Sequence, residues 1–249
     1  MMKRGVRVQR NGWKAGTVAV ALAGVLGACG GGSSATAPSP APTPTATPAP
    51  GPAEPTATYR VTFEGTWTAA THPTSFPNNP HFSGLIGGTH SDRVVFWEPG
   101  GMASPGIEAM AEQGSQSPLD AEIEAAIGAG TAEGLISGGG VNPSPGTVTV
   151  EFQVGRDFPL VTLVSMIAPS PDWFVGVHGL SLIEGGDWVS EATVSLLPYD
   201  AGTDSGTTFR SPNNDTEPPE PISLLEGPPV ESGGTVAPFG TFTFVRITG

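Results

Sequence analysis

The sequence predicts a mainly β protein, an antiparallel β-sandwich carrying one or two short helices. Three observations point that way. Glycine and proline are abundant, 36 and 27 of 249 residues, about a quarter of the chain against a usual share of roughly an eighth, and helix interiors exclude both. Several segments alternate apolar and polar residues at the two-residue period of a half-buried strand. Two helix-start signals lie between groups of such strands, the pattern of a sheet protein with a short helical insertion. No internal repeat is visible.

The first segment stands outside the fold. Residues 1–28 join five basic residues (Lys3, Arg4, Arg7, Arg10, Lys14) to an apolar run from Thr17 to Leu26. That run is about ten residues long, too short to span a bilayer, which takes roughly 20, but suited to a signal peptide. Leu26-Gly27-Ala28-Cys29 follows, then Gly30-Gly31-Gly32-Ser33-Ser34, and Cys29 is the only cysteine. The run resembles the lipobox of bacterial lipoproteins, which implies that Cys29 becomes the lipidated first residue of the mature protein. An ordinary secretory signal with a cysteine nearby is the alternative. Lipid at Cys29 would anchor a soluble domain without a spanning helix, so the membrane is met through the lipid anchor only. Gly30 is not the aspartate that marks inner-membrane retention in the enteric pattern, so the expected location is the outer membrane or cell surface of a bacterial envelope. A single cysteine also excludes an intramolecular disulfide.

Residues 29–57 are the lipidated cysteine and a Pro/Ala/Thr-rich tether, as in Ala37-Pro38-Ser39-Pro40-Ala41-Pro42-Thr43-Pro44. Such a composition cannot bury a core and reads as a partly extended, polyproline-like stalk, reaching at most roughly 85 Å at about 3.1 Å per residue. The folded domain is expected over 58–249. Tyr59-Arg60-Val61-Thr62-Phe63-Glu64 and Thr147 to Val154 alternate strictly and predict strands with one wet face. Leu160-Val161-Thr162-Leu163-Val164-Ser165-Met166-Ile167 is nearly all apolar, as suits a central strand covered on both sides. Asp92 to Trp97, Trp188 to Leu197 and Phe239 to Ile247 are further expected strands. Ser104-Pro105 predicts a cap and a first-turn proline, with Gly114 as the stop. Ser117-Pro118-Leu119-Asp120 repeats the signal, and Leu119, Ile123, Ala126 and Ile127 then share one helical face. Trp67, Trp97 and Trp188 are expected in the core.

Charge narrows the function. The chain carries a formal −13, and from residue 29 onward there are five arginines, no lysine and 23 acidic residues, a formal −18. A surface of that sign repels phosphate backbones, which excludes nucleic acid as a partner, and it suits divalent cations. Two segments then draw attention, both at strand ends: Pro169-Ser170-Pro171-Asp172-Trp173-Phe174-Val175-Gly176, and Pro198-Tyr199-Asp200-Ala201-Gly202-Thr203-Asp204-Ser205-Gly206. Asp200 and Asp204 stand four apart in a turn whose glycines permit positive φ, so their side chains can curl toward one point. Three aspartates gathered alone would repel. Ca2+, which accepts six to eight oxygens in flexible geometry, removes that conflict, with carbonyls near Tyr199 or Ala201 and water filling its shell. Spacing alone leaves two readings open, a cation site or solvated turn aspartates.

Further runs mark the chain: Tyr59-Arg60-Val61-Thr62-Phe63 with Trp67 and His72-Pro73, and His81-Phe82-Ser83 with Ile86-Gly87-Gly88 and His90-Ser91. They continue through Trp97-Glu98-Pro99-Gly100-Gly101-Met102-Ala103-Ser104 and Ala111-Glu112-Gln113-Gly114, then the Pro-Asp-Trp segment, Trp188-Val189, and Asp200 to Gly206 with Ser211-Pro212-Asn213. Segment after segment, these resemble the spondin domain, the amino-terminal domain type of F-spondin and mindin. The resemblance implies a β-sandwich related to calcium-dependent phospholipid-binding modules, with one Ca2+ at a loop end. The family's metal-binding aspartates fall on Asp172, Asp200 and Asp204. The chain departs from the animal pattern in lacking cysteines within the domain and in its Pro- and Gly-rich Glu217 to Pro238. Animal spondins act in matrix adhesion, and their partners do not carry over to a lipoprotein of bacterial type.

No zinc pattern joins His72, His81, His90 and His178, and no thiol partners them, so structural or hydrogen-bonding roles are expected for them. Ser91 beside His90 and Asp92 has the residue types of a hydrolase, but neighbours on a strand point to opposite faces and cannot converge. Trp173 is expected to pack beneath the loop. The function expected is a calcium-binding, non-catalytic surface adhesion or recognition module, its partner an extracellular or envelope protein or glycan of unknown identity. The alternative is calcium-mediated binding of carbohydrate or a lipid headgroup.

Overall fold

A computed structural model describes residues 54–248. The leader, the lipidation residue Cys29 and residues 30–53 of the tether lie outside the described residues. Regular structure opens with β1 (Thr56–Gly65), so it starts two residues ahead of the expected domain start at 58. The short β2 (His81–Phe82) and β3 (Ile86–His90) follow, then helices α1 (Pro105–Gln113) and α2 (Leu119–Gly128). Next come β4 (Ala132–Ser137), β5 (Gly146–Gly155), β6 (Leu160–Ala168) and β7 (Trp173–Ser181). The rest are β8 (Ile183–Glu184), β9 (Asp187–Trp188), β10 (Glu191–Leu196), β11 (Tyr199–Asp200), β12 (Ser223–Leu224), β13 (Glu231–Ser232), β14 (Thr235–Val236) and β15 (Gly240–Thr248).

The antiparallel β-sandwich with two short helices is what the sequence predicts. One sheet runs β10-β15-β1-β5, the other β12-β11-β7-β6-β3-β4 with β2 added beside β6, and every pairing is antiparallel. The inner faces of both sheets meet in one apolar core that includes Tyr59, Val61, Phe63, Phe152, Leu163, Val175, Phe242 and Phe244. β1 alternates as its sequence does, with Tyr59, Val61 and Phe63 buried. The second sheet is covered on its outer face too. α1 and α2 lay Ile107, Met110, Leu119 and Ile123 against Ile86, Val164, Met166 and Phe174. This explains why β6 is nearly all apolar, since its residues beyond Leu160 are all buried.

Three local expectations are corrected. Asp92 to Trp97 is not a strand: β3 already pairs with β6 and β4, which leaves no free edge, and Phe96 and Trp97 are buried in succession rather than in alternation. The expected strand from 188 to 197 is broken into β9 and β10, and Asp187–Trp188 folds back on Ile183–Glu184 as a hairpin. Helix α2 starts from Pro118 with no side-chain cap. Helix α1 follows its signal: the Ser104 hydroxyl accepts from the Ile107 N–H, and Gly114 closes the helix at φ 66°.

The topology fixes where the loops stand. Thr56 opens β1 opposite Gly155, the end of β5, and the Arg156 guanidinium donates to the Glu54 carbonyl. β6 therefore leaves from the pole where the described chain starts. Its nine residues, at about 3.3 Å each, carry the backbone roughly 30 Å to the opposite pole, where the turn to β7 lies. β10 and β15 confirm this polarity, because Leu196 pairs with Gly240 and Gly240 with Gly65. The loops around 169–173 and 197–206 thus share the far end of the sandwich.

Candidate metal centre

Asp172 occupies the turn between β6 and β7. The Ser170 hydroxyl accepts from the Trp173 N–H at 3.1 Å and holds this turn. The turn gives way to β7 at Trp173, whose ring is buried against Phe209. β11 pairs with β7 so that Asp200 stands opposite Trp173, one residue from Asp172. The chain then turns through Gly202, at φ 77°. A Cβ there would lie 2.1 Å from the Glu220 carbonyl oxygen, so glycine is required for backbone and space alike. The loop is clamped from outside: Glu220 N–H donates to Gly202 O, Thr216 N–H to Thr203 O and Ser205 N–H to Asn214 O.

The three predicted aspartates come into one neighbourhood. Asp172 is 0% exposed and Asp204 4%, while Asp200 is partly buried. Asp172 Oδ2 accepts the backbone N–H of Thr203 at 2.8 Å and of Asp204 at 3.1 Å, and the Thr203 hydroxyl at 3.3 Å. Its other oxygen, Oδ1, is buried and has no hydrogen-bond partner. The remaining two aspartates are engaged locally: Asp200 Oδ1 accepts from Gly202 N–H, and Asp204 accepts from Gly206 N–H and Asn214 N–H. The side chains do not converge on a single point. Among the described residues, no three Asp, Glu, His or Cys side chains are gathered closely enough to hold a metal ion.

The electrostatics carry more information. Burial raises the Asp172 carboxyl, the two backbone N–H donors oppose the rise, and the Asp204 charge adds to it. Burial, then the Asp172 charge, pushes Asp200 up to about 6, against the Gly202 N–H and the Trp173 indole. The buried indole N–H of Trp173 has no other partner. A fourth carboxylate joins them. Glu112, in the last turn of α1, is raised by burial first, lowered by the Thr203 hydroxyl, and raised again by Glu108, Asp172 and Asp204. Each charge acting on these three groups is negative.

Buried charged oxygens are ordinarily paired. An ionised buried carboxylate with one oxygen free, surrounded by like charge, fits a hard cation, since Ca2+ takes carboxylate and carbonyl oxygens. Asp172 Oδ1 would be the anchoring ligand. Asp200 and Asp204 would supply further oxygens by turning from their local N–H donors. Sequence reasoning missed Glu112, Thr203 and the clamp at 214–220. Glu112 was within reach of it, since a carboxylate just ahead of the helix stop at Gly114 opposes the helix dipole; the clamp residues carry no comparable signal.

Two of the four histidines have both ring nitrogens held in hydrogen bonds. His90 hydrogen-bonds the Thr162 hydroxyl and the Ser91 carbonyl, and His72 the Ala237 carbonyl and the Thr71 hydroxyl. His90 turns its ring nitrogens away from the Ser91 hydroxyl, which donates to the Thr131 carbonyl. Trp67, Trp97 and Trp188 are buried, and no helix among the described residues is long and apolar enough to cross a membrane.

A family model described as Spondin_N matches residues 57–231. Spondin-1 of Rattus norvegicus is 40% identical over 185 residues, covering 70% of this chain and 23% of the relative. Spondin-2 of Homo sapiens is 39% identical over 173 residues, covering 68% and 52%. Spondin-1 of Xenopus laevis is 36% identical over 208 residues, covering 77% and 25%. The chain thus spans about a quarter of the Spondin-1 proteins and about half of the Spondin-2 protein.

Proposed function

This chain belongs to the Spondin_N family, and we propose that it is a calcium-binding, non-catalytic recognition or adhesion module, held at a bacterial cell surface by lipid on Cys29. The single observation that carries the calcium reading is Asp172 Oδ1, buried and unpartnered inside a group of carboxylates. Bound Ca2+ would supply the positive charge that the group lacks. The residues do the rest: Thr203 and Asp204 fix Asp172 by its other oxygen, and the clamp at 214–220 holds the 201–206 loop in place. The role is structural. The ion would pin two loops at the far pole and stabilise the folded state by binding it in preference to the unfolded chain.

Thermal melting of the purified domain tests this. With free Ca2+ at about 100 times its dissociation constant, linkage adds about 2.7 kcal/mol over the chelated protein, a rise of several degrees in Tm. An unchanged Tm in Ca2+ and in EDTA rejects the reading. The anchor is tested separately by palmitate labelling, which Cys29→Ser should abolish. Vesicle or glycan binding that disappears with EDTA would move the function to calcium-mediated ligand binding, a role that the part-exposed Asp200 and Glu112 leave open.

A further inference from the structure

The chain enters the fold at a fastened point. The Glu54 carbonyl accepts two side-chain donors at once, Arg156 Nε at 2.7 Å and Trp188 Nε1 at 3.0 Å. The Arg156 backbone N–H donates to the Pro55 carbonyl, and a second guanidinium nitrogen donates to the Gly186 carbonyl at 2.8 Å. The same guanidinium stands 5.0 Å from the centre of the Trp188 ring, which is buried edge-on to Tyr59 of β1. Glu54 itself is exposed, and an exposed strand end without such ties ordinarily frays. Here the turn after β5 and the β8–β9 hairpin both grip it.

The strand behind this latch resists tension in one direction above others. β1 lies between β5 and β15. It pairs with β5 from Thr56↔Gly155 to Gly65↔Gly146, and with β15 from Thr58↔Thr248 to Gly65↔Gly240. Both neighbours are antiparallel, so the ladder bonds lie across the strand axis. Tension that draws the start of β1 away from the opposite pole loads both ladders together, in shear. The end of β15 stands beside the start of β1, and tension between those two ends opens one ladder bond by bond.

We infer that the domain is a force-resisting link: tension between the tether and a partner held at the far pole shears β1 against its neighbours, while Arg156 and Trp188 keep the entry of β1 from peeling. This role rests on the tethered-recognition reading above and adds to it the direction of pull. It draws on no property of the aspartate group.

The test stretches single molecules of the full chain, unlipidated and in EDTA, between two handles. One handle is always Cys29, the only native cysteine. The other is Asn142→Cys, in the loop that leads into β5 and whose Ser144 hydroxyl donates to the Trp67 carbonyl, or Thr248→Cys, opposite Thr58. Forced unfolding is governed by the unfolding barrier, so the Asn142 geometry should break at about twice the force of the Thr248 geometry or more. Arg156→Ala should lower the force in the Asn142 geometry and speed amide exchange at Thr56 and Ala57 about ten-fold or more. Trp188→Phe, which keeps a ring against Tyr59 and loses only the indole N–H, should act in the same direction to a smaller degree. That separates the latch from damage to the core. Equal forces in the two geometries overturn the inference, and so does unchanged exchange at Thr56 and Ala57 in both variants. Neither lipid nor Ca2+ enters the measurement, so its failure leaves the anchor and calcium readings standing, while theirs shows in palmitate labelling and melting.

Discussion

The two oxygens of Asp172 do different work, and substitutions can separate them. Oδ2 takes the N–H groups of Thr203 and Asp204, while Oδ1 is left over. Asp172→Asn retains an acceptor for those donors and removes a buried charge, so its melting temperature in EDTA should equal or exceed the parent's while its response to Ca2+ is lost. Asp172→Ala should instead lose stability even in EDTA, by about 1–3 kcal/mol, because it strands buried N–H donors. Urea denaturation of both variants checks the pair, and the reverse ranking would assign Asp172 to the scaffold alone. Gly202→Ala should cost at least about 1–2 kcal/mol from its left-handed backbone, with more from the approach to Glu220 O. The aspartates and this glycine could be read in the sequence because a turn with carboxylates and glycines has a chemical signature. Thr203 could not. Its shorter bond to Asp172 comes from a backbone N–H, which every residue but proline carries, and its hydroxyl adds only a longer one.

At the scale of elements, legibility followed periodicity. β1, β5, β6 and β15 were visible because each either alternates or is nearly all apolar. β3 was hidden because Ile86-Gly87-Gly88-Thr89-His90 has neither pattern, and its glycines answer to backbone crowding: a Cβ at Gly87 would lie 2.0 Å from Thr162 O. The Val94-Val95-Phe96-Trp97 run misled for the opposite reason, β-prone residues that directly follow a strand already paired on both sides. Helix α1 was legible at both ends, but its tie to α2 was not. Glu122 of α2 accepts the Gly106 N–H at 2.7 Å with one oxygen and the Ser104 hydroxyl at 2.6 Å with the other. The second helix therefore supports the cap of the first. Ser104→Ala should cost about 1–2 kcal/mol. Glu122→Gln, which keeps an acceptor for the Gly106 N–H, should cost less than Glu122→Ala in the same urea titration. Equal costs would mean that Glu122 serves only as surface charge.

The sandwich has two poles, and buried histidines sit toward both. His90 pairs with Leu160, at the pole where the described chain begins. His72 bonds Ala237 and packs on Phe239, near the opposite pole. Burial lowers both below the ordinary imidazole value of 6.5, opposed in each by hydrogen bonds to backbone. A histidine with a depressed folded-state pKa binds fewer protons folded than unfolded. Its contribution is therefore complete above about pH 6.5 and is lost as pH falls through that value toward the folded-state pKa. Asp200, raised to about 6, acts with the opposite sign, because the folded state takes up its proton first. The sign for the histidines must therefore be read as a difference. Stability of the parent and of His90→Gln, measured by urea denaturation from pH 8 to pH 5, should diverge most at pH 8 and converge on acidification, since glutamine has no proton to gain. Proton NMR of the His90 ring should give a midpoint below 6.5 in the folded protein. A difference curve that is flat across this range would show that His90 can take its proton without disturbing the bonds to Thr162 and Ser91, and the acid response of the fold would then rest on other groups.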